Sequence, residues 1–321
     1  IISLSINNIH KTQQNISLLA NESKTVELNF TSEKSEINNG LISVEDHPIT
    51  YDNNLYFSFK TDEKINICQL YESENKNISK LFSSEETFNY TIQNIHQIDY
   101  NILDKQHLII LNQLNNFSTG FSSSVKSYIE KGGSICIIPS ENANIESYNL
   151  FLKQLNTNQF STEVVGNIKI ATLNLKHPIF NSVFNTSKIK DDINLPTINN
   201  YYQLQKNSNV IKQNIFRLEN SDEFLNYYNK GKGEVYLFSS PLSEGNNTFS
   251  KHALFVTTLF NMGLNSVKTD NLYYTINQNL EIKLPKTNAQ KENIFHLKSD
   301  NLDLIAEDST KNNQSYLLTH N

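Results

Sequence analysis

Apolar and polar positions along this chain follow two different periods. From residue 1 to about residue 62 they alternate in short blocks, Ile2-Ser-Leu-Ser-Ile6, Thr25-Val-Glu-Leu-Asn-Phe30, Leu41-Ile-Ser-Val44 and Leu55-Tyr-Phe-Ser-Phe59, separated by Asn, Ser and Gly. Alternation with no helical period predicts antiparallel strands, so residues 1–62 are expected to form a small β-sandwich module. The loop Glu45 to Asn53 leads into the last of these strands.

From Ile65 the pattern changes. Ile65 to Leu70 reads as a strand, Ile78 to Phe82 as a short helix and Phe88 to Ile95 as extended chain. The run Leu108 to Asn112, the amphipathic stretch Phe121 to Glu130, the Gly132-Gly133 stop and the run Ser134 to Ile138 form a strand, helix and strand in succession. Phe121, Val125, Tyr128 and Ile129 fall on one helical face, and Gly132 suits the position after the helix, where positive φ disfavours a Cβ. Continuous apolar strands joined by a helix predict a parallel pair buried on both faces. A helix from Ile145 to Leu155 and a strand from Ile168 to Leu173 follow. After a less regular Asn-rich stretch, Val210 to Leu218, Glu223 to Tyr228 and Glu234 to Ser239 read as strands, with Gly231-Lys-Gly233 as a tight turn. Phe249 to Met262 is apolar nearly all round and predicts a buried helix ending at Gly263.

The expected class is therefore α/β, with a doubly wound, mostly parallel sheet of flavodoxin-like type flanked by small antiparallel β-sandwich modules. Its expected domains are residues 1–62, 63–265 and 266–321. The last is β-rich, with strands at Leu272 to Ile276, Leu280 to Leu284, Ile294 to Leu297 and Tyr316 to Thr319. These strands could form their own module or complete the first.

Composition narrows the function classes. The 321 residues carry a net charge of −6 without a Lys/Arg block, which disfavours nucleic acid and charge-driven membrane binding. The apolar fraction is only 37%, but 49 Asn crowd the segments between apolar runs, so the deficit falls on loops rather than cores. No apolar run reaches the roughly 18 residues of a membrane helix. The chain opens without Met and ends on the strand Tyr316 to Thr319, as a fragment of a longer protein would. Cys68 and Cys136 each lie inside an expected strand and read as structural thiols. Sequons such as Asn89-Tyr-Thr91 are what an Asn-rich chain generates by chance.

In a sheet of the expected kind, ligands bind just beyond the carboxyl ends of the strands. The crevice candidates are Asn112, Ser140, Glu141, Asn142 and His177. Ser140 or Asn142 would cap the next helix. The eight His are scattered, with no His-x-His, His-Glu-x-x-His or Cys-x-x-Cys, so no metal and no cofactor is expected. Gly231-Lys-Gly233 lacks the spacing of a phosphate loop.

The Gly132-Gly133 turn and the strand after it resemble the class I glutamine amidotransferase-like fold. There the strand leads into a nucleophile elbow with Cys between small residues. Here the matching stretch is Ile138-Pro-Ser-Glu-Asn-Ala143, with neither Cys nor Gly, and Cys136 lies too early in the strand. His177-Pro-Ile179 resembles a surface-turn segment of non-catalytic proteins of that kind. The resemblance therefore implies an amidotransferase-like domain without catalytic residues.

Several phrases taken in order resemble the extracytoplasmic region of BatA-type, aerotolerance-associated membrane proteins of Gram-negative bacteria. They are Ile2 to Ile6, Gly40 to Asp46, Tyr51 to Asn53, Tyr56-Phe57, the Gly132 to Ser140 crossover, His177 to Phe180, Gly231 to Phe238, Ser240 to Leu242 and the final Leu317 to Asn321, which resembles the strand that opens the membrane-proximal segment. This resemblance implies membrane segments outside the fragment, a periplasmic location at a bacterial inner membrane, and other envelope proteins as partners. A non-enzymatic interaction or scaffold region is the expected function, and a hydrolase or carbohydrate-binding domain using the crevice is the alternative.

Overall fold

In the computed structural model, residues 1–31, 37–61, 64–72, 76–83, 86–181, 194–243, 245–268, 271–275, 280–283, 296–299, 302–305, 307–311 and 314–319 are described. Contacts divide the chain into two units, residues 1–61 with 269–321, and residues 62–268.

The first unit begins with one antiparallel sheet of β1 (Ile2–Ile6), β2 (Ile9–Gln14), β3 (Asn38–Val44) and β4 (Asn54–Phe59), in the order β2-β1-β3-β4. β1 turns into β2 through Asn7 and Asn8, at φ 51° and 63°. Two positive φ values in a two-residue hairpin loop suit Asn and match the right-handed twist of the strands. Leu4 and Ile6 are buried, and the Phe57 ring lies over Gly40, where a Cβ would come within 2.1 Å of it. Among the described residues of 1–61 there is this one sheet and no second one. Thr25 to Phe30 alternates as a strand would but joins no ladder.

The second unit holds β5 (Ile65–Tyr71), α1 (Lys76–Phe82), β6 (Phe88–Asn94), β7 (Leu108–Leu114), α2 (Thr119–Glu130), β8 (Ser134–Pro139), α3 (Ile145–Gln154), β9 (Phe160–Leu173), β10 (Thr197–Leu204), β11 (Gln213–Leu218), β12 (Glu223–Lys230), β13 (Gly233–Phe238) and α4 (Ala253–Asn265). Its strands form one nine-stranded sheet, β10-β9-β11-β12-β13-β8-β7-β5-β6. The four pairings from β6 to β13 are parallel, and the four from β13 to β10 are antiparallel.

This corrects the expected fold class. The sheet is mixed rather than mostly parallel, and the protein is strand-rich, with eighteen strands against four α-helices among the described residues. It is not a doubly wound domain of amidotransferase-like or flavodoxin-like type. The physical reason lies after α3. From there the chain adds β9 to β12 as antiparallel neighbours, with no α-helix between them among the described residues. Its Asn-rich stretch, expected to be irregular, contains β10, where Ile198, Tyr201 and Tyr202 supply buried positions.

The crossover from β7 through α2 to β8 is parallel. β7 is apolar from Leu108 to Leu111 because both of its faces are covered there. Leu108 and Ile110 join one core cluster with α1 and α4, while Ile109 and Leu111 join another with α2 and α3. Ser118 caps α2 by accepting from Phe121 N at 3.2 Å. At the other end Gly132 N donates to Ile129 O and Gly133 N to Tyr128 O, with Gly132 at φ 112°. These two bonds make a Schellman stop that satisfies carbonyls the helix leaves open. Lys230 and Gly233 pair across the loop of Gly231 and Lys232, and Gly231 takes φ 70°.

α4 departs from expectation. Phe249–Lys251 forms a separate 3-10 turn, and α4 runs past Gly263, which packs on Phe88 and Ile67 instead of ending the helix. Nor is it buried all round, because Val256 is half exposed.

In the tail, β14 (Leu280–Lys283), β17 (Glu307–Lys311) and β18 (Gln314–Thr319) form a three-stranded antiparallel sheet, and β15 (His296–Ser299) pairs with β16 (Leu302–Ile305). Leu272 to Thr275 is not a strand. Ile276, Leu284 and Ile294, the outer ends of expected strands, lie outside the described residues.

Candidate functional site

The carboxyl ends of β5, β7, β8 and β13 lie along one edge of the mixed sheet, and a row of polar groups collects there. Asn112 is fully buried near the end of β7, and neither its Oδ1 nor its Nδ2 has a hydrogen-bond partner among the described residues. The register between β7 and β8 slips just after it, and Gln113 takes φ 55°. A left-handed conformation costs a Cβ-bearing residue about 1–2 kcal/mol, so this strand end is held strained by its surroundings.

Ser140 follows β8. Its hydroxyl donates to Asn115 Oδ1 at 2.6 Å and accepts from Asn142 N at 3.1 Å. Asn115 Nδ2 in turn donates to a Glu72 carboxylate oxygen. The backbone is pinned from two sides. Ser140 N donates to the Tyr148 hydroxyl at 3.3 Å, and the Tyr202 hydroxyl donates to Ser140 O at 2.9 Å. Burial pushes both phenols above their ordinary range, so each stays neutral: Tyr148 accepts from Ser140 N and donates to Leu114 O, and Tyr202 donates to Ser140 O. The exposed Glu141 carboxylate accepts from Ser243 Oγ and from Asn246 Nδ2. Asn142 is exposed, and neither it nor Ser140 caps α3. Asn144 does so, accepting from Ser147 N at 3.1 Å. Ser140 Oγ is engaged in its own turn, and Asn144 is the residue that immediately precedes the first turn of α3, where a side-chain oxygen reaches the N3 amide.

His177 is not part of this crevice. It is 2% exposed, its Nδ1 accepts from Ile179 N at 3.4 Å, and its ring stands edge-on to Tyr227 with centroids 4.7 Å apart and 6.3 Å from Tyr236. Tyr227 and Tyr236 are a cross-strand pair, and the Tyr227 hydroxyl donates to Glu234, which is aligned with Ser134 at the amino end of β8. His177 therefore faces the amino-terminal part of the parallel strands, whereas Ser140 lies beyond their carboxyl ends. The structure unites Ser140, Glu141 and Asn142 with Glu72, Asn115, Ser243 and Asn246, which sequence reasoning passed over. Their one signal was position, since Glu72 and Asn115 each directly follow a parallel strand.

The chemistry open to this site is limited. Ser140 gives its proton to an amide oxygen, which cannot act as a base, so its hydroxyl is not activated as a nucleophile. Cys68 and Cys136 are free, buried thiols whose acidity burial suppresses. Among the described residues no group of three His, Cys, Asp or Glu is placed to hold a metal, and no helix is long and apolar enough to cross a membrane.

Burial lowers the His177 pKa from 6.5 to about 4, with the Glu234 charge opposing the shift. Below 6.5 the unfolded chain takes up a proton that the folded one refuses. Stability from this residue is therefore complete above pH 6.5 and declines as pH falls toward 4. The loss is at most about 3 kcal/mol. His177→Asn keeps an acceptor for Ile179 N but does not titrate. Urea unfolding at neutral and mildly acidic pH should show a smaller acid loss in this variant than in the parent. Equal losses would contradict the neutral, buried imidazole.

No known protein family matches the sequence, and no curated protein matches it either. Solved structures overlap it in part. Two cytoplasmic proteins from Salmonella typhimurium are 12% and 13% identical, with TM-scores of 0.48 and 0.49, over 63% and 64% of this chain and 98% and 100% of theirs. A beta-galactosidase from Rahnella sp. R3 is 10% identical with a TM-score of 0.44, over 62% of this chain and 30% of its own. Similarity at this level carries no activity from those proteins to this one.

Proposed function

We propose that this chain is a non-enzymatic interaction region whose binding face is the polar crevice at the carboxyl ends of β7, β8 and β13. The observation that carries the proposal is the hydrogen bond from Ser140 to Asn115. It occupies the hydroxyl that directly follows β8 with an acceptor that cannot take its proton. What the crevice does offer is recognition. Glu72, Asn115, Ser140, Glu141, Ser243 and Asn246 hold donors and acceptors in fixed positions, tied to one another over as many as 105 residues of chain. Such preorganisation lowers the ordering cost of binding without supplying chemistry. The resemblance to BatA-type proteins supports an extracytoplasmic setting in a membrane-anchored parent, with another envelope protein as partner and a role in envelope stress or aerotolerance.

The test is photo-crosslinking in intact membranes from a reactive residue placed at position 141 of the full parent protein. A discrete protein adduct from position 141 is expected, absent when the reactive residue is placed at the exposed Val165. Affinity for the recovered partner should change little between low and near-molar salt, because the crevice carries few free charges to screen. Glu141→Lys should weaken binding. No position-specific adduct, or an affinity unchanged by Glu141→Lys, would contradict the proposal.

A further inference from the structure

A second feature of the mixed-sheet unit lies along the flank of α2. The 3-10 segment Tyr100–Lys105 runs beside this helix and leaves an open groove of about 400 Å³ between them. That volume lies within the roughly 300–1,000 Å³ typical of small-molecule sites. Its chemistry is unlike that of a core defect. On one wall stand the exposed Ser123 and Ser127, four residues apart and so on the same side of the helix. On the other stand Tyr100 and Asn101. Within the described residues the side chains of Asn101, Ser123 and Ser127 and the Tyr100 hydroxyl make no hydrogen bond, whereas neighbouring Ser124 turns its hydroxyl back to Gly120 O.

Two further features narrow the ligand. The Tyr100 ring is 45% exposed, lines the groove and packs tilted against Phe121, with centroids 6.5 Å apart, so an aromatic surface is available on that wall. Asp104 and Lys131 close one end as an ion pair at 2.6 Å. Their charges cancel, which gives the groove a hydrogen-bond acceptor and a donor side by side without selecting for a charged ligand. An apolar molecule would leave the hydroxyls, amide and ion pair unsatisfied, and an anionic one would meet the Asp104 carboxylate. A neutral ring with hydroxyls at its rim and C–H groups on its faces satisfies every wall, stacking on Tyr100 and exchanging hydrogen bonds with the rest.

We infer that this groove is a saccharide-binding site, sized for a mono- or disaccharide and independent of the crevice beyond β8. Binding needs no group transfer, so the site is one of recognition alone. The experiment is titration of the full chain with maltose, cellobiose and N,N′-diacetylchitobiose, read by calorimetry and by saturation-transfer NMR. At least one should bind, with its ring protons receiving saturation. Tyr100→Ala should weaken that binding about tenfold through loss of the stacking face, and Tyr100→Phe should retain most of it. Ser127→Leu changes an exposed helix position without touching the core, and should fill the groove and abolish binding even if Tyr100→Ala proves unstable. No saturable binding of any of the three sugars would overturn the inference. So would binding that survives Ser127→Leu unchanged.

Discussion

Gly233→Ala is expected to lower the melting temperature of the mixed-sheet unit far more than Gly231→Ala, although the two positions are separated by a single residue. A Cβ built on Gly233 would lie 2.1 Å from Ile129 O and 2.8 Å from Gly133 O, both backbone atoms, so neither can swing aside as a side chain would. Either β13 must move away from the end of α2 or the Schellman stop must open. The cost is about 3 kcal/mol, in the range of overpacked cores. In a unit of this size that corresponds to roughly 10 °C. At Gly231 a Cβ meets no atom within 4 Å and the penalty is only that of φ 70°, about 1 kcal/mol. Thermal melting of the two variants side by side is the check. Equal shifts would show that the close approach between strand and helix is absent.

Val125→Asp is expected to be more damaging still. Val125 is fully buried in the cluster that also contains Leu111 and Ile137, with α2 lying against the sheet. A carboxylate there has no partner and must either stay charged in an apolar interior or take up a proton at neutral pH. Both are costly, and the loss should reach about 3–5 kcal/mol. Denaturant unfolding followed by circular dichroism would show it, and an unchanged midpoint would mean that this face of α2 does not meet the sheet.

How much could be read from the sequence depended on how local each determinant is. β7, α2 and β8 were legible because the apolar period switches twice within about thirty residues and a Gly pair marks the stop. α4 was displaced because Phe249 carries the same apolar signal in a 3-10 turn as it would in a helix. Gly263 was misjudged as a terminator because its actual contact, the Phe88 ring, is supplied by a distant strand. The sheet class was misjudged for a related reason. β9 is long and largely exposed along its middle, with Glu163, Gly166 and Asn167 among its residues, and β10 is interrupted by paired Asn, so neither shows the buried-strand pattern. The pattern shows only the Ile168–Leu173 end of β9 and no sign of β10, and it does not encode that the later strands pair antiparallel.

The crevice was half legible. Ser140, Glu141 and Asn142 follow from their position directly after a buried strand. The bonds that define what they do span 25 residues from Ser140 to Asn115 and 102 from Glu141 to Ser243, and nothing in the sequence pattern encodes such distances. His177 was misplaced because it follows β9, which is separated from β8 by three strands and runs antiparallel to its neighbours.

The proposed absence of catalysis rests on the state of Ser140, and intact-protein mass spectrometry after incubation with a fluorophosphonate reports that state directly. A serine activated by a base reacts with such a reagent far faster than an ordinary hydroxyl does. No adduct on Ser140 is predicted after prolonged incubation at neutral pH. A stoichiometric adduct that disappears in Ser140→Ala would contradict the account.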